Sequence, residues 1–185
     1  MNTRYEFLIK QKQDLSESID DLLNVINEMD EIMKTNFLDT FSKVKEEFKS
    51  VFKTLFNGGE GILSLTDPDN LLETGIEIEA LPPGKKLNSI ALLSGGEKTL
   101  TAIALLFAIL NVKTVPFVVL DEVEAALDEA NVKTFGSYLQ SKKDRSQFII
   151  ITHKKKTMEY ADSLYGITMQ ESGVSKLVSV RLEEK

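Results

Sequence analysis

The sequence contains no cysteine and a single histidine. That removes disulfide scaffolds, thiolate metal sites and cysteine nucleophiles, and leaves too few ligands for a protein-built zinc site. A cysteine-free chain points to an intracellular compartment. With only 4 prolines and 10 glycines in 185 residues, collagenous and low-complexity readings fall away. Basic residues are the minority, 22 Lys and Arg against 29 Asp and Glu, and the net charge of −7 argues against a whole-domain polyanion binder. The apolar run Val115–Leu120 falls far short of the roughly 20 residues that span a bilayer, so no membrane partner is expected. Met1–Glu6 show no basic-then-apolar leader, and a cytoplasmic location is expected. What remains, 42% hydrophobic and 28% charged residues, is ordinary for a globular chain that can form a compact domain.

From about Thr3 to Phe56 there is neither proline nor glycine, and apolar residues recur at helical spacing. Leu15, Leu22 and Met29 alternate with Ile19, Ile26 and Met33 in the four-and-three steps of a coiled-coil seam. Beyond Met33 the steps run through Phe37, Phe41, Val44, Phe48 and Phe52, so a four-residue stutter shifts the seam and the helix changes neighbours. Some fifty residues at ~1.5 Å each make a rod of about 80 Å, too long to stay within a small domain. No second heptad segment faces it in this chain, so its partner helix is expected elsewhere. Asn57, Gly58 and Gly59 stop the helix.

The rest predicts an α/β fold. Gly61–Leu65 and Gly75–Leu81 read as strands around a turn at Asp67–Asn70, and Ser94–Leu110 as an apolar helix. Pro116–Leu120 and Gln147–Thr152 read as buried strands, with helices over Glu129–Gln140 and Lys155–Ala161. Strands near Leu164–Met169 and Lys176–Leu182 finish the chain. Strand, helix, strand, helix implies a parallel core sheet, here with antiparallel strands before and after it.

Three constellations carry chemistry. Phe117–Leu120 run straight into Asp121 and Glu122, placing two carboxylates at the carboxyl end of a strand expected to be buried on both faces. Phe148–Ile151 lead likewise into Thr152 and His153. That edge is where open α/β sheets hold ligands. In an acid pair of the Walker B type, the first carboxylate holds Mg²⁺ and the second orients or deprotonates the attacking water. Taken singly, an acid pair after a strand often begins a turn or caps a helix, and a lone histidine is more often a hydrogen-bonded bystander. The third constellation is Leu93, Ser94, Gly95, Gly96, Glu97 and Lys98. Ser94 with Glu97 makes a capping box, but Gly95 and Gly96 each cost roughly 1 kcal/mol relative to alanine and open the backbone N–H groups of a positive helix end to a phosphate. No P-loop is present: the position before Lys98 is Glu97, and the Gly84–Lys85 alternative lacks the first glycine.

The LSGGE, FVVLDE, AALD and ITH segments, at Leu93–Glu97, Phe117–Glu122, Ala125–Asp128 and Ile151–His153, resemble in order and spacing the signature motif, Walker B, D-loop and H-switch of ABC-type ATPases. Thr66–Leu87, Leu120–Val132 and Met169–Val180 further resemble the C-terminal half of the head of a bacterial SMC (structural maintenance of chromosomes) protein. The resemblance implies a coiled-coil arm over residues 1–55 and a C-terminal ATPase head lobe over 56–185, with ATP and Mg²⁺ as cofactors. It implies that Asp121 binds Mg²⁺ through water, Glu122 positions the hydrolytic water and His153 contacts the γ-phosphate from the same head. Leu93, Ser94, Gly95, Gly96 and Glu97 would form the signature that acts on the opposite head's nucleotide, with Ser94 and Gly96 gripping its γ-phosphate. Asp128 would bridge the two heads. The implied partners are the N-terminal lobe with its P-loop, a second head, a kleisin subunit at the neck or head underside, and DNA through the full complex. The implied role is chromosome condensation and segregation, with a nucleoid-associated location. Lys98 replaces the Gln or Arg of many relatives, and the missing N-terminal lobe means that the chain alone is not expected to hydrolyse ATP.

Other readings remain open. A kleisin-docking module without activity of its own, or the head of a recombination-repair ABC ATPase, fits the same motifs. A transporter nucleotide-binding subunit fits them too but not the long helix. Lys142–Lys143 and Lys154–Lys156 are the candidates for DNA phosphate contact, or else solvated loop ends.

Overall fold

The computed structural model describes residues 2–85, 88–171 and 173–181. Lys86, Leu87 and the expected strand end at Leu182 lie outside the described residues. The chain forms two compact units, Met1–Lys43 with Leu65–Ile76, and Val44–Ser64 with Glu77–Lys185.

In the first unit, helix α1 (Asn2–Leu55, 54 residues) begins with its seam bare. Leu15, Ile19, Leu22, Ile26, Met29 and Met33 are all more than half exposed, as a coiled-coil stripe without a facing helix must be. Phe37 and Phe41 stack on each other at 5.9 Å, one turn apart. The Asp67 turn is held by its own carboxylate, which accepts from the Asp69 and Asn70 N–H groups.

In the second unit the same helix enters a core. Phe48, Val51, Phe52 and Leu55 are buried, and each buried phenyl ring contributes about 1.5–3 kcal/mol. Asn57, at φ 54, takes the left-handed position that ends the helix. The Gly58 N–H then returns to the Lys53 carbonyl at 2.8 Å and the Asn57 N–H to Thr54 at 3.4 Å, the double closure of a Schellman motif. Strands β1 (Glu60–Leu65), β2 (Ile76–Leu81) and β3 (Asn88–Ser89) form a three-stranded sheet in that order. The two-residue β3 and the 3₁₀ turn Ile90–Leu92 after it are too short to leave a periodic signal in sequence.

Helix α2 (Gly95–Val112) follows, then β4 (Phe117–Asp121), α3 (Glu129–Lys142), β5 (Gln147–Ile151) and the single turn α4 (Lys155–Met158), shorter than the sequence suggests. By length and composition alone α2 is apolar enough to cross a membrane. Its buried Leu100, Ile103, Ala104, Phe107 and Ala108 mark a core helix, with the Phe107 ring 4.7 Å from Tyr138 of α3 and 6.3 Å from Phe148 of β5. The Asn111 side-chain amide donates to Glu47 at 2.9 Å and to the Tyr138 hydroxyl at 3.0 Å, tying α1, α2 and α3 together. Burial, the largest cause, pushes the Tyr138 phenol up.

β4 and β5 pair in parallel from Phe117–Gln147 to Asp121–Ile151. The expectation that both strands are buried on both faces is corrected here. Leu120 is buried, but Phe117, Val119, Ile149 and Ile151, which share the other face, are 47–59% exposed. Among the described residues no layer covers that face. The chain ends in an antiparallel hairpin, β6 (Ser163–Glu171) and β7 (Val174–Arg181).

Candidate functional site

The ends of the two parallel strands build the first half of the site. Glu122 directly follows β4, and its N–H donates to the Ile151 carbonyl at 2.9 Å, continuing the ladder by one rung. Its backbone then turns left-handed, at φ 48, a conformation that costs a non-glycine residue about 1–2 kcal/mol. There Glu122 Oε1 lies 3.3 Å from His153 Nδ1, both side chains more than half exposed. Asp121, beside it, is also exposed. The structure thus brings together three residues singled out in sequence and leaves their polar ends open to a ligand.

The segment leaving Glu122 is a run of tight turns. Ala125 N–H returns to the Glu122 carbonyl and Leu127 N–H to Glu124, each at 3.0 Å. Asp128 caps α3, accepting from the Asn131 N–H at 2.8 Å, so one carboxylate oxygen is engaged within the chain. Here Gly96, at the start of α2, comes close: a β-carbon on it would stand 3.2 Å from the Ala126 carbonyl oxygen. A β-carbon on Gly95 would meet nothing within 4 Å. Packing therefore accounts for the second glycine of the pair and not for the first.

The capping box expected at Ser94 is present in both directions. Ser94 N–H and Oγ–H both donate to Glu97 Oε2, at 3.0 and 2.8 Å, and the Glu97 N–H donates back to Ser94 Oγ at 3.4 Å. The Lys85 ammonium adds a 2.7 Å contact to Glu97 Oε1. Lys85 first, then the Ser94 N–H, hold the Glu97 carboxyl below the usual carboxylate range. Glu97 thus serves the cap, and Leu93, 6% exposed, packs its side chain into the core. The free features of this helix end are the Ser94 hydroxyl, once it exchanges Glu97 for another acceptor, and the unobstructed backbone at Gly95.

Among the described residues no group of three or more His, Cys, Asp or Glu is placed to hold a metal ion. Mg²⁺ asks for less: one or two carboxylates, with water and phosphate oxygens filling the remaining positions. Asp121, exposed at the end of β4, offers one such carboxylate.

Sequence reasoning missed the roles of two residues, Glu124 and Lys85. Glu124 is 1% exposed and accepts from the hydroxyls of Thr152 and Thr157. Lys85, weighed in the sequence only as part of a failed P-loop match, instead braces the helix cap through Glu97. Of the basic clusters, Lys143 meets Asp162, Lys156 meets Glu159 and the Lys154 ammonium donates to the Leu127 carbonyl.

The chromosome partition protein Smc of Bacillus subtilis (strain 168) is 61% identical over 184 residues, which is 100% of this chain and 16% of that protein. The chain thus spans about a sixth of that relative's length. A solved chain from work on ATP-driven dimerization and DNA-stimulated activation of SMC ATPases aligns with a TM-score of 0.74 at 41% identity, covering 80% of this chain and 89% of that one. The Smc head domain with an extended coiled coil from Pyrococcus furiosus, bound to the C-terminal domain of ScpA, aligns with a TM-score of 0.77 at 38% identity over 97% of this chain and 45% of that one. The family described as RecF/RecN/SMC N terminal domain matches residues 2–176, and the chain belongs to that family.

Proposed function

We propose that this chain is the C-terminal half of an SMC head ATPase. Completed by an N-terminal lobe carrying the P-loop, it would bind and hydrolyse ATP between two engaged heads and so drive chromosome condensation and segregation. The observation that carries the reading is the meeting of Glu122 and His153 at the carboxyl end of a parallel strand pair, 3.3 Å apart and open to solvent. A carboxylate beside an imidazole at that rim can take a proton from an attacking water while the imidazole faces the phosphate being cleaved. Asp121 would hold Mg²⁺ through water, and the cation supplies charge neutralisation on the phosphate oxygens.

Two further features support a site shared between polypeptides. The bare face formed by Phe117, Val119, Ile149 and Ile151 is apolar surface whose burial contributes about 25 cal/mol per Å², and a lobe that packs a layer onto this face would cover it. Ser94 and Gly96, with the open backbone of Gly95 between them, would grip the γ-phosphate of the opposite head's nucleotide, and Asp128 would approach that head through its other carboxylate oxygen. The bare seam of α1 asks for the other strand of a coiled-coil arm, and the ScpA-bound Smc head supports a kleisin partner for the complete protein. DNA contact would be a property of the full complex. Co-expression with a P-loop lobe tests the reading: Mg²⁺-dependent ATP hydrolysis is expected from the pair and from neither part alone, and an inactive but stably associated pair would count against it.

A further inference from the structure

We infer that Glu124 is a positioning residue, a buried carboxylate that fixes the turn carrying His153 against the turn carrying Glu122 and Asp128. The inference rests on the ATPase reading for its kinetic consequences and on the geometry alone for its structural ones.

Glu124 sits two residues beyond Glu122 and four before Asp128, and it is 1% exposed. Its Oε1 accepts two hydroxyl hydrogens, one from Thr152, immediately before His153, and one from Thr157, four residues after it, at 3.1 Å. Its Oε2 is buried with no hydrogen-bond partner among the described residues. A carboxylate half satisfied and shut away from water is a costly filler, and leucine or methionine would pack the same space without that cost. What Glu124 supplies and an apolar filler does not is one acceptor for two hydroxyls that straddle His153.

A second strut runs parallel to the first. The Lys154 N–H donates to Thr152 Oγ1 at 3.0 Å, and the Lys154 ammonium donates to the Leu127 carbonyl at 2.5 Å. Residues 152–157 are therefore pinned at two points to residues 124–127. Glu122 and His153 are long, solvated side chains, 55% and 67% exposed, and a contact between such groups is weak when their backbones move independently. Pinning the two turns together removes that freedom. The position of His153 then follows the turn that ends in Asp128.

The test uses the fact that the chain has one histidine, which gives a single labelled imidazole signal without assignment. The chain is prepared with ¹³C-histidine, alone and paired with a P-loop lobe, as wild type, Glu124→Leu, Glu124→Gln and Thr152→Val. Thr152→Val removes only the hydroxyl, and it carries the test should Glu124→Leu fail to fold. Expected are a moved imidazole resonance in Glu124→Leu and Thr152→Val, and a wild-type position in Glu124→Gln, which keeps the acceptor oxygen. In the paired protein kcat should fall by about tenfold in the first two variants with KM for ATP within about twofold. Glu124→Gln should restore kcat to within about threefold, and the Glu124→Leu, Thr152→Val double variant should be no worse than the poorer single one. An unmoved imidazole in both disruptive variants overturns the inference, as does a glutamine variant as damaged as the leucine one. Absence of any ATP turnover from the wild-type pair would sink the ATPase reading instead, and the imidazole resonance of the chain alone would still decide the positioning role.

Discussion

Glu122 reaches His153, Oε1 to Nδ1 at 3.3 Å, from a backbone held at φ 48. The left-handed turn lets the chain leave β4 abruptly while its side chain stays over the strand ends. That conformation costs a non-glycine residue about 1–2 kcal/mol, so the site is assembled against the local preference of its own backbone. Glu122→Gly should raise the unfolding free energy of the chain by about 1 kcal/mol, measured by urea denaturation, while removing the carboxylate. A variant less stable than wild type would show that the turn stores no strain.

The Lys85–Glu97–Ser94 cluster should make the N-terminus of α2 sensitive to acid. The folded-state pKa of Glu97 is depressed, chiefly by Lys85. Its contribution to stability is therefore fully present above the unfolded value, about 4.3, and is lost as pH falls through the folded one. The stability difference between wild type and Glu97→Gln should be constant above about pH 5.5 and shrink on acidification. A difference that grows toward low pH is the contrary result.

On the proposed reading, the uncovered sheet face should separate folding from assembly. Val119 and Ile149 are neighbours across β4 and β5 and are exposed, so Val119→Lys or Ile149→Lys should change the stability of this chain by less than about 0.5 kcal/mol. Co-purification with a P-loop lobe should nonetheless be lost, because a lysine buried there without a partner is costly. Undiminished pull-down would place that interface elsewhere.

Two glycines should respond in opposite ways to alanine. A β-carbon at Gly61 would fall 2.7 Å from the Phe48 ring and 2.8 Å from the Phe52 ring, and Gly61→Ala is expected to destabilise by about 1–3 kcal/mol. Gly95 has open space around it, so Gly95→Ala should leave stability unchanged or raise it by up to about 1 kcal/mol while weakening ATP-dependent head association. Thermal unfolding and analytical ultracentrifugation with ATP distinguish the two effects.

What was legible in the sequence was local. The Asn57–Gly59 stop, the Ser94–Glu97 capping box and the strand-to-acid junction at Asp121 each rest on neighbours within a few residues, and all three are present. The Phe117–Leu120 run shows why burial was not. A run of apolar residues says that both faces of a strand avoid water, not that the covering layer belongs to the same chain, and here Phe117 and Val119 stay exposed. Glu124 was missed for the opposite reason. An acid in a turn reads as solvent-facing, and only the fold brings Thr152 and Thr157, 28 and 33 positions further along the chain, to meet it.

The most direct measurement is Mg²⁺-dependent ATP turnover by the chain paired with a P-loop lobe, comparing wild type with Glu122→Gln. Loss of turnover by about 100-fold or more, with ATP affinity and ATP-dependent head association retained, is the expected result. Turnover at the wild-type rate in Glu122→Gln would contradict the assignment of Glu122 and, with it, the reading of the strand-end site.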